Sequence, residues 1–219
     1  INGHSHLLPY PEQIPDYLRE KEIFWIDEDR KYMLQKGWKR PVTDSSFFLN
    51  EKLEWMDRNK LDHAVVLNLS QLYGNGLSHS DMKYALRFQN DFNAKVQHDN
   101  PSKFTCGFVV HAGFIEGACW EIERCVEELG LQLLCLPTQY MDTTGKWKGI
   151  FDKETAPIFE LANKYKLAIE VHPYDGEKIV QLENKAWRFH LVWMIAQCAD
   201  AYHFYTLEGL YEKYPDIRV

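Results

Sequence analysis

Apolar residues along the chain fall into short continuous runs separated by segments of helical period. The runs are HAVVLNLS (63–70), FTCGFVVH (104–111), LQLLCLPT (131–138), LAIEVHP (167–173) and DIRV (216–219). A strand covered on both faces keeps little polar alternation, so near-continuous runs of this length predict parallel strands. Between them, Ala85, Phe88, Phe92 and Val96 recur at spacings of three and four. So do Ala118, Ile122, Val126 and Leu129, and again Ile158, Leu161, Ala162 and Tyr165. Those stripes predict one-sided helices. NEKLEWMDRNK (50–60) reads as a further helix before the second strand, and Gly130 reads as a helix C-cap. Strand–helix alternation of this kind implies βαβ units and a parallel sheet. With the opening INGHSH included, six strands are expected, near 1–6, 63–69, 105–111, 132–137, 167–172 and 216–219.

The stretch 10–50 breaks the pattern. It is long, charged and aromatic (IFWIDEDRKYMLQKGWKRP) and follows the first strand directly. In α/β barrels, insertions after a strand's C-terminal end build lids and substrate pockets. The segment is therefore expected either to lean over the barrel mouth or to be a plain surface excursion. Trp25, Trp38 and Arg40 are its candidates for substrate contact. No internal repeat or low-complexity tract occurs.

Composition narrows the function classes. The 219 residues are 45% hydrophobic and 26% charged, ordinary for a single globular domain. A net charge of -7 without a Lys/Arg cluster argues against nucleic acid and anionic membrane as partners. The best apolar run, LVWMIA (191–196), is far too short for a membrane span. No secretory signal is visible. Five cysteines (106, 119, 125, 135, 198) form no C-x-x-C, and buried free thiols in a reducing, cytoplasmic setting are expected.

Candidate chemistry starts with His4 and His6. Alternate residues of a strand share a face, so both imidazoles can point at one ion. His172 ends the strongly apolar fifth run, just before Pro173. A barrel gathers the C-terminal ends of its strands around one mouth, where His4, His6 and His172 could converge. Glu170 shares the face of His172, suited either to ligand contact or to a structural ion pair. His111 ends the third run and reads as a hydrogen-bonded rim histidine. His190 and His203 show no ligand spacing, and His63, His79 and His98 read as loop or helix-surface residues. YGNG (73–76) lacks the lysine and helix start of a phosphate cradle.

At this point the sequence resembles the amidohydrolase superfamily, in particular its amidohydrolase-related branch and the aminocarboxymuconate-semialdehyde decarboxylase group within it. INGHSHLLP resembles the opening I-D-x-H-x-H-x-x-P, with Asn2 where Asp is usual. EWMDRNKLDHAV (54–65), QNDFNAKVQHDNPSKFTCGFV (89–109), EIERCVEELGLQLLCLPT (121–138), VHPYD (171–175) and GLYEKYPDIRV (209–219) resemble later segments in the family's order. The resemblance implies a (β/α)8 TIM-like barrel of which this chain covers about six strands. It is a single domain whose C-terminal part lies beyond Val219, where the family's catalytic His (H-G-G) and metal-ligating Asp would follow. It implies one divalent metal on His4, His6 and His172, zinc by first expectation and manganese by second. The family's substrate-binding Arg falls, ungapped, on Thr43; Arg40 is nearby but out of register.

The implied function is non-hydrolytic decarboxylation of a small unsaturated or aromatic carboxylic acid. Hydrolysis of a lactone, ester or amide is the alternative, and an inactive binding protein on the same barrel a second one. The 219 residues alone are expected to be inactive. A small-molecule acid is the expected partner, and a homodimer is left open.

Overall fold

The computed structural model describes residues 1–42, 47–173 and 189–219. Thr43, on which the resembled family's substrate-binding Arg falls, and Tyr174 and Asp175 of the VHPYD motif lie outside the described residues. The core is a five-stranded parallel sheet of β1 (Asn2–Ser5), β5 (Ala64–Val66), β6 (Phe104–Val109), β7 (Leu133–Pro137) and β10 (Ala168–His172), adjacent in that order. Strand neighbours follow chain order because each crossover carries a helix back over the sheet: α2 (Leu49–Arg58), α3 (His79–Asp99), α4 (Ile115–Glu127) and α5 (Ala156–Lys164). The predicted stripes are the buried faces of these helices. Ile122, Ile158, Phe159 and Ala162 pack against Phe104, Leu134 and Ile169 in one apolar cluster.

The expected sixth strand is reduced to one parallel bridge, Ala168 to Arg218. There the Ile169 N–H donates to the Arg218 carbonyl at 2.7 Å and the Arg218 N–H to that of Leu167 at 3.2 Å. Among the described residues the sheet is a curled half-barrel, and β1 is paired on one side only.

Helix α3 is bolted to β6 by the two asparagines of the N-D-F-N stretch. Asn90 donates from Nδ2 to the Val109 carbonyl (3.0 Å) and accepts the Val109 N–H (2.9 Å), while Asn93 donates to the Gly107 carbonyl (2.7 Å). Both side chains are buried, so these bonds hold the edge of β6 in register with its helix. Gly107 has no room for a side chain: a Cβ there would lie 2.4 Å from Cys135 Sγ on β7. On α4, buried Arg124 pairs with Glu121 (2.6 Å) and Asp91 (2.7 Å), and this raises the guanidinium pKa further.

Segment 10–50 carries structure that its charge pattern did not predict. After α1 (Asp16–Glu20) it forms an antiparallel sheet of β2 (Trp25–Ile26), β3 (Tyr32–Gln35) and β4 (Trp38–Pro41). Gly37, at φ +70°, makes the turn into β4. Leu18, Phe24, Ile26 and Met33 bury a small core of their own, closed by Phe48, Leu69 and Leu72. Gln35 Nε2 donates to the Gln71 carbonyl at 3.2 Å, tying the sheet to the loop at the C-terminal end of β5. A second hairpin, β8 (Gln139–Met141) with β9 (Trp147–Gly149), follows β7, and a π-helical turn (Phe189–Trp193) leads into α6 (Met194–Leu207), followed by the short α7 (Leu210–Lys213).

The thiols are all free. Cys106, Cys125 and Cys135 are buried, whereas Cys119 is half-buried and Cys198 exposed, which corrects the expectation of five buried ones. Both sit on helices whose apolar spacing does not extend all the way round. No helix among the described residues is long and apolar enough to cross a membrane.

Candidate metal centre

The first and fifth strands of a flat sheet would lie roughly 19 Å apart, four spacings of about 4.8 Å. Instead the ring centroids of His4 and His6 lie 5.4 and 5.8 Å from that of His172. The curl of the sheet therefore brings the two ends of the strand order together, as a barrel mouth requires. One imidazole nitrogen from each of His4, His6 and His172 falls within 4.8 Å of the other two, the one such cluster of His, Cys, Asp or Glu among the described residues.

Local backbone explains how each ring is aimed. The register of β1 on β5 shifts between Asn2 and Ser5, a local irregularity that changes how the side chains are aimed. Asn2 Oδ1 accepts the His4 N–H at 3.2 Å. The acceptor is a carbonyl oxygen, so Asn fills this role as an Asp would. His6 Nδ1–H donates to the Leu67 carbonyl (2.9 Å), and His172 Nδ1–H donates to that of Pro173 (2.7 Å). With Nδ1 committed as a donor, each ring presents a bare Nε2 to the centre, which fixes the tautomer a metal needs.

Electrostatics keep the rings neutral. Burial lowers the pKa of all three. His6 falls to about 3, mainly by burial, with smaller contributions from His4, His172 and Arg40. Neutral imidazole is the ligand form, so no proton has to leave before an ion binds at ordinary pH. The spacing fits as well. With metal–nitrogen bonds of roughly 2.1 Å, two ligand nitrogens stand about 3.0 Å apart at a right angle and about 3.4 Å apart at a tetrahedral one. His4 Nε2 and His6 Nε2 are 3.1 Å apart. The residues present thus fit one divalent ion.

Of the other predicted contacts, Arg40 comes nearest to this centre. It is half-buried on β4, and its charge depresses both His6 and His172. Its guanidinium stands over the Phe47 ring (5.4 Å) and reaches Gln71 Oε1 at 3.4 Å. Half-buried Trp25 pairs with Leu34 inside the small sheet, and Trp38 is 39% exposed on its outer strand. Neither has a ring contact with the histidines among the described residues. Glu170 lies on the inner face with His172, since Ile169 and Val171 face the helices. Burial pushes its carboxyl pKa up to about 8. Its Oε2 is shielded from solvent and has no hydrogen-bond partner, so of the two readings the structural ion pair is not seen.

His111, His63 and His79 each have partners of their own. His111 is a rim residue: its Nε2–H donates to Asn75 Oδ1 (3.1 Å), and its Nδ1 accepts the Gly113 N–H (3.1 Å). His63 bonds Thr105 and the Ser102 carbonyl, and His79 stacks on Phe114. The role of Asn75, which also accepts the Met141 N–H at 2.9 Å, escaped the sequence reading. The Y-G-N-G loop was visible, but nothing in it said which strands Asn75 would join.

No family model matches the chain. A curated 2-amino-3-carboxymuconate-6-semialdehyde decarboxylase of Dictyostelium discoideum is 23% identical over 230 aligned residues, covering 100% of this chain and 61% of that protein. Among solved structures, one described as an amidohydrolase II superposes with a TM-score of 0.75 at 14% identity, over 99% of this chain and 64% of its own. A dihydroxybenzoic acid decarboxylase of a Polaromonas species, described with bound manganese and the inhibitor 2-nitroresorcinol, gives 0.68 at 17% identity, over 99% and 62%. The chain therefore spans a little over three fifths of the length of these relatives. In sequence it is similar to that decarboxylase, and in fold to the amidohydrolase II and dihydroxybenzoic acid decarboxylase structures.

Proposed function

We propose that the whole protein is a metal-dependent carboxy-lyase that removes carbon dioxide from a small unsaturated or aromatic carboxylic acid. The observation that carries this reading is the convergence of three neutral imidazoles beside a half-buried guanidinium. The decarboxylase name of the curated relative supports the reaction, and the manganese of the Polaromonas structure supports the metal.

In this reading His4, His6 and His172 hold one divalent ion, with manganese now ahead of zinc because a structural neighbour carries it. Once bound, such an ion supplies a Lewis acid for the substrate's carboxylate and a neighbouring oxygen. The chain's own residues bind and orient the acid. Arg40 offers a planar fork for a carboxylate, and partial burial makes that charge count for more than at an open surface. The small sheet of segment 10–50 acts as a partial lid, with Trp25 and Trp38 narrowing access to water. The Nδ1–H bonds to Leu67 and Pro173 keep two ligand rings from rotating while substrate enters and leaves.

The test is a panel of aromatic and unsaturated acids offered to the manganese-loaded full-length protein, followed by carbon dioxide release and product mass. Release that is lost in His6→Ala, while circular dichroism is unchanged, is the expected result. Substrate consumed without carbon dioxide would move the assignment to hydrolysis. A wild-type protein that holds no stoichiometric metal would leave only a binding scaffold.

A further inference from the structure

We propose that the cleft between α6 and the β8–β9 hairpin binds an organic cation with N–H donors, a primary ammonium group on a short hydrocarbon chain. This site lies apart from the histidine centre and does not rest on the decarboxylase reading.

The sheet separates the two sites. Pro137 pairs in register with His172, so both stand on the inner face, and the next residue of the chain, Thr138, turns outward. The Thr138 N–H donates to the His172 carbonyl (2.9 Å), but its hydroxyl donates to Gln197 Oε1 on α6 (2.5 Å). Both side chains are buried, and both line a cleft of about 180 Å³.

The lining favours positive charge and a donor. Asp152 and Asp200 contribute two carboxylates, and none of the lining residues is a lysine or arginine. Lys148, on the same hairpin, is taken up by Glu154 (2.6 Å) and Asp142 (3.5 Å). Asp152 accepts the Glu154 N–H at 3.4 Å, while the Asp200 side chain has no hydrogen bond or ion pair among the described residues. Gln139 adds a neutral acceptor: its Oε1 is shielded from solvent and has no hydrogen-bond partner. A shielded acceptor is costly to leave unpaired, and a donor carried by a bound molecule completes it.

Gly149 faces Gln139 across the hairpin in direct register, so the two share a side of it. A Cβ on Gly149 would meet nothing within 4 Å, which keeps the cleft open beside the unpaired oxygen. On the opposite wall, Gln197, Asp200 and Phe204 recur at spacings of three and four along one face of α6. The Phe204 ring stacks on Phe151 at 5.8 Å and 12°. These rings offer an apolar wall to a hydrocarbon chain and an attractive face to a cation. Carboxylates, an unpaired acceptor and aromatic faces in one small cleft suit an amine with an apolar tail and repel an anion.

The test measures binding. Protonated n-pentylamine is titrated calorimetrically into the manganese-loaded full-length protein, in a buffer free of primary amines. Wild type should bind it about tenfold or more tightly than pentyltrimethylammonium, which keeps the charge without an N–H, or pentanol, which keeps a donor without the charge. Gln139→Leu should lose about the same factor, and Asp200→Asn a smaller one. Gly149→Leu should fill the cleft and block binding. Circular dichroism and manganese content should be unchanged in all three variants. A blocked Gly-Lys-Gly tripeptide offers the same ammonium from a protein source. Binding of the amine alone or of the peptide alone supports the site and tells which source it takes. No saturable binding of either probe at millimolar concentration overturns the proposal, as does binding that Gln139→Leu and Gly149→Leu leave unchanged. Neither outcome touches the decarboxylase reading.

Discussion

His111 offers a direct test of the hydrogen-bond reading, because its surroundings permit one protonation state. Nδ1 accepts the Gly113 N–H while Nε2–H donates to Asn75. Adding a proton to Nδ1 would turn two donors against each other, in a place where burial already lowers the pKa from 6.5 to about 4. The unfolded chain takes up that proton first as pH falls. Stability from this group is therefore complete above pH 6.5 and is lost progressively down to about pH 4. With those two values the loss is about 2 kcal/mol at pH 5 and about 3 kcal/mol once both states are protonated. Urea unfolding of the metal-free protein between pH 7 and 4, for wild type and for His111→Gln, isolates the contribution. Gln can still donate to Asn75 and does not titrate. The wild-type curve should drop relative to the variant by these amounts. A difference that stays flat across the range would refute the locked neutral tautomer.

Three further outcomes are expected. His172→Ala should reduce manganese or zinc affinity at least tenfold, read by equilibrium dialysis with elemental analysis, since two histidines on one strand cannot replace a donor from the other end of the sheet. Gly107→Val should unfold the protein or cost roughly 3 kcal/mol or more in a chemical melt, because the new side chain meets Cys135 within van der Waals distance. Arg124→Met should be destabilising, by at most the roughly 3–5 kcal/mol of a broken buried ion pair, because it leaves the buried Glu121 carboxylate only the Asn90 amide (2.9 Å) and the more distant Arg87 (4.0 Å), and Arg124→Met/Glu121→Leu should recover part of the loss.

Much of this site was legible in the sequence because strand geometry is periodic. The H-x-H pair and the histidine ending the fifth apolar run had to share a face and an end of the sheet. Near-continuous runs gave the parallel strands, and spacings of three and four gave α3, α4 and α5. The small sheet was harder to see. β2 is two residues long, and its core residues Phe24, Ile26 and Met33 are scattered among charges that face solvent. The K-G at 36–37 was its one local sign. Arg40 was named for its charge, but its closeness to His6 and His172 depends on how that sheet docks on Gln71, which no local pattern encodes. The fate of DIRV shows the opposite limit: an apolar run that reads as a strand makes a single bridge here, because pairing depends on neighbours as well as composition.

The curl of the sheet has a consequence for the order in which the centre can assemble. Two of its donors sit at the close of the first strand and the third at the close of the last, so nearly the whole described sheet lies between them in the chain. Bringing such distant points together in an unfolded chain costs on the order of 4–5 kcal/mol in loop-closure entropy. The folded sheet has already met that cost. Any ion gripped by all three rings acts as a clasp that recognises the finished fold and has little hold on the open chain. Each tenfold rise in such an ion's free concentration above its dissociation constant then adds about 1.4 kcal/mol to the fold, and the melting temperature becomes a gauge of the clasp.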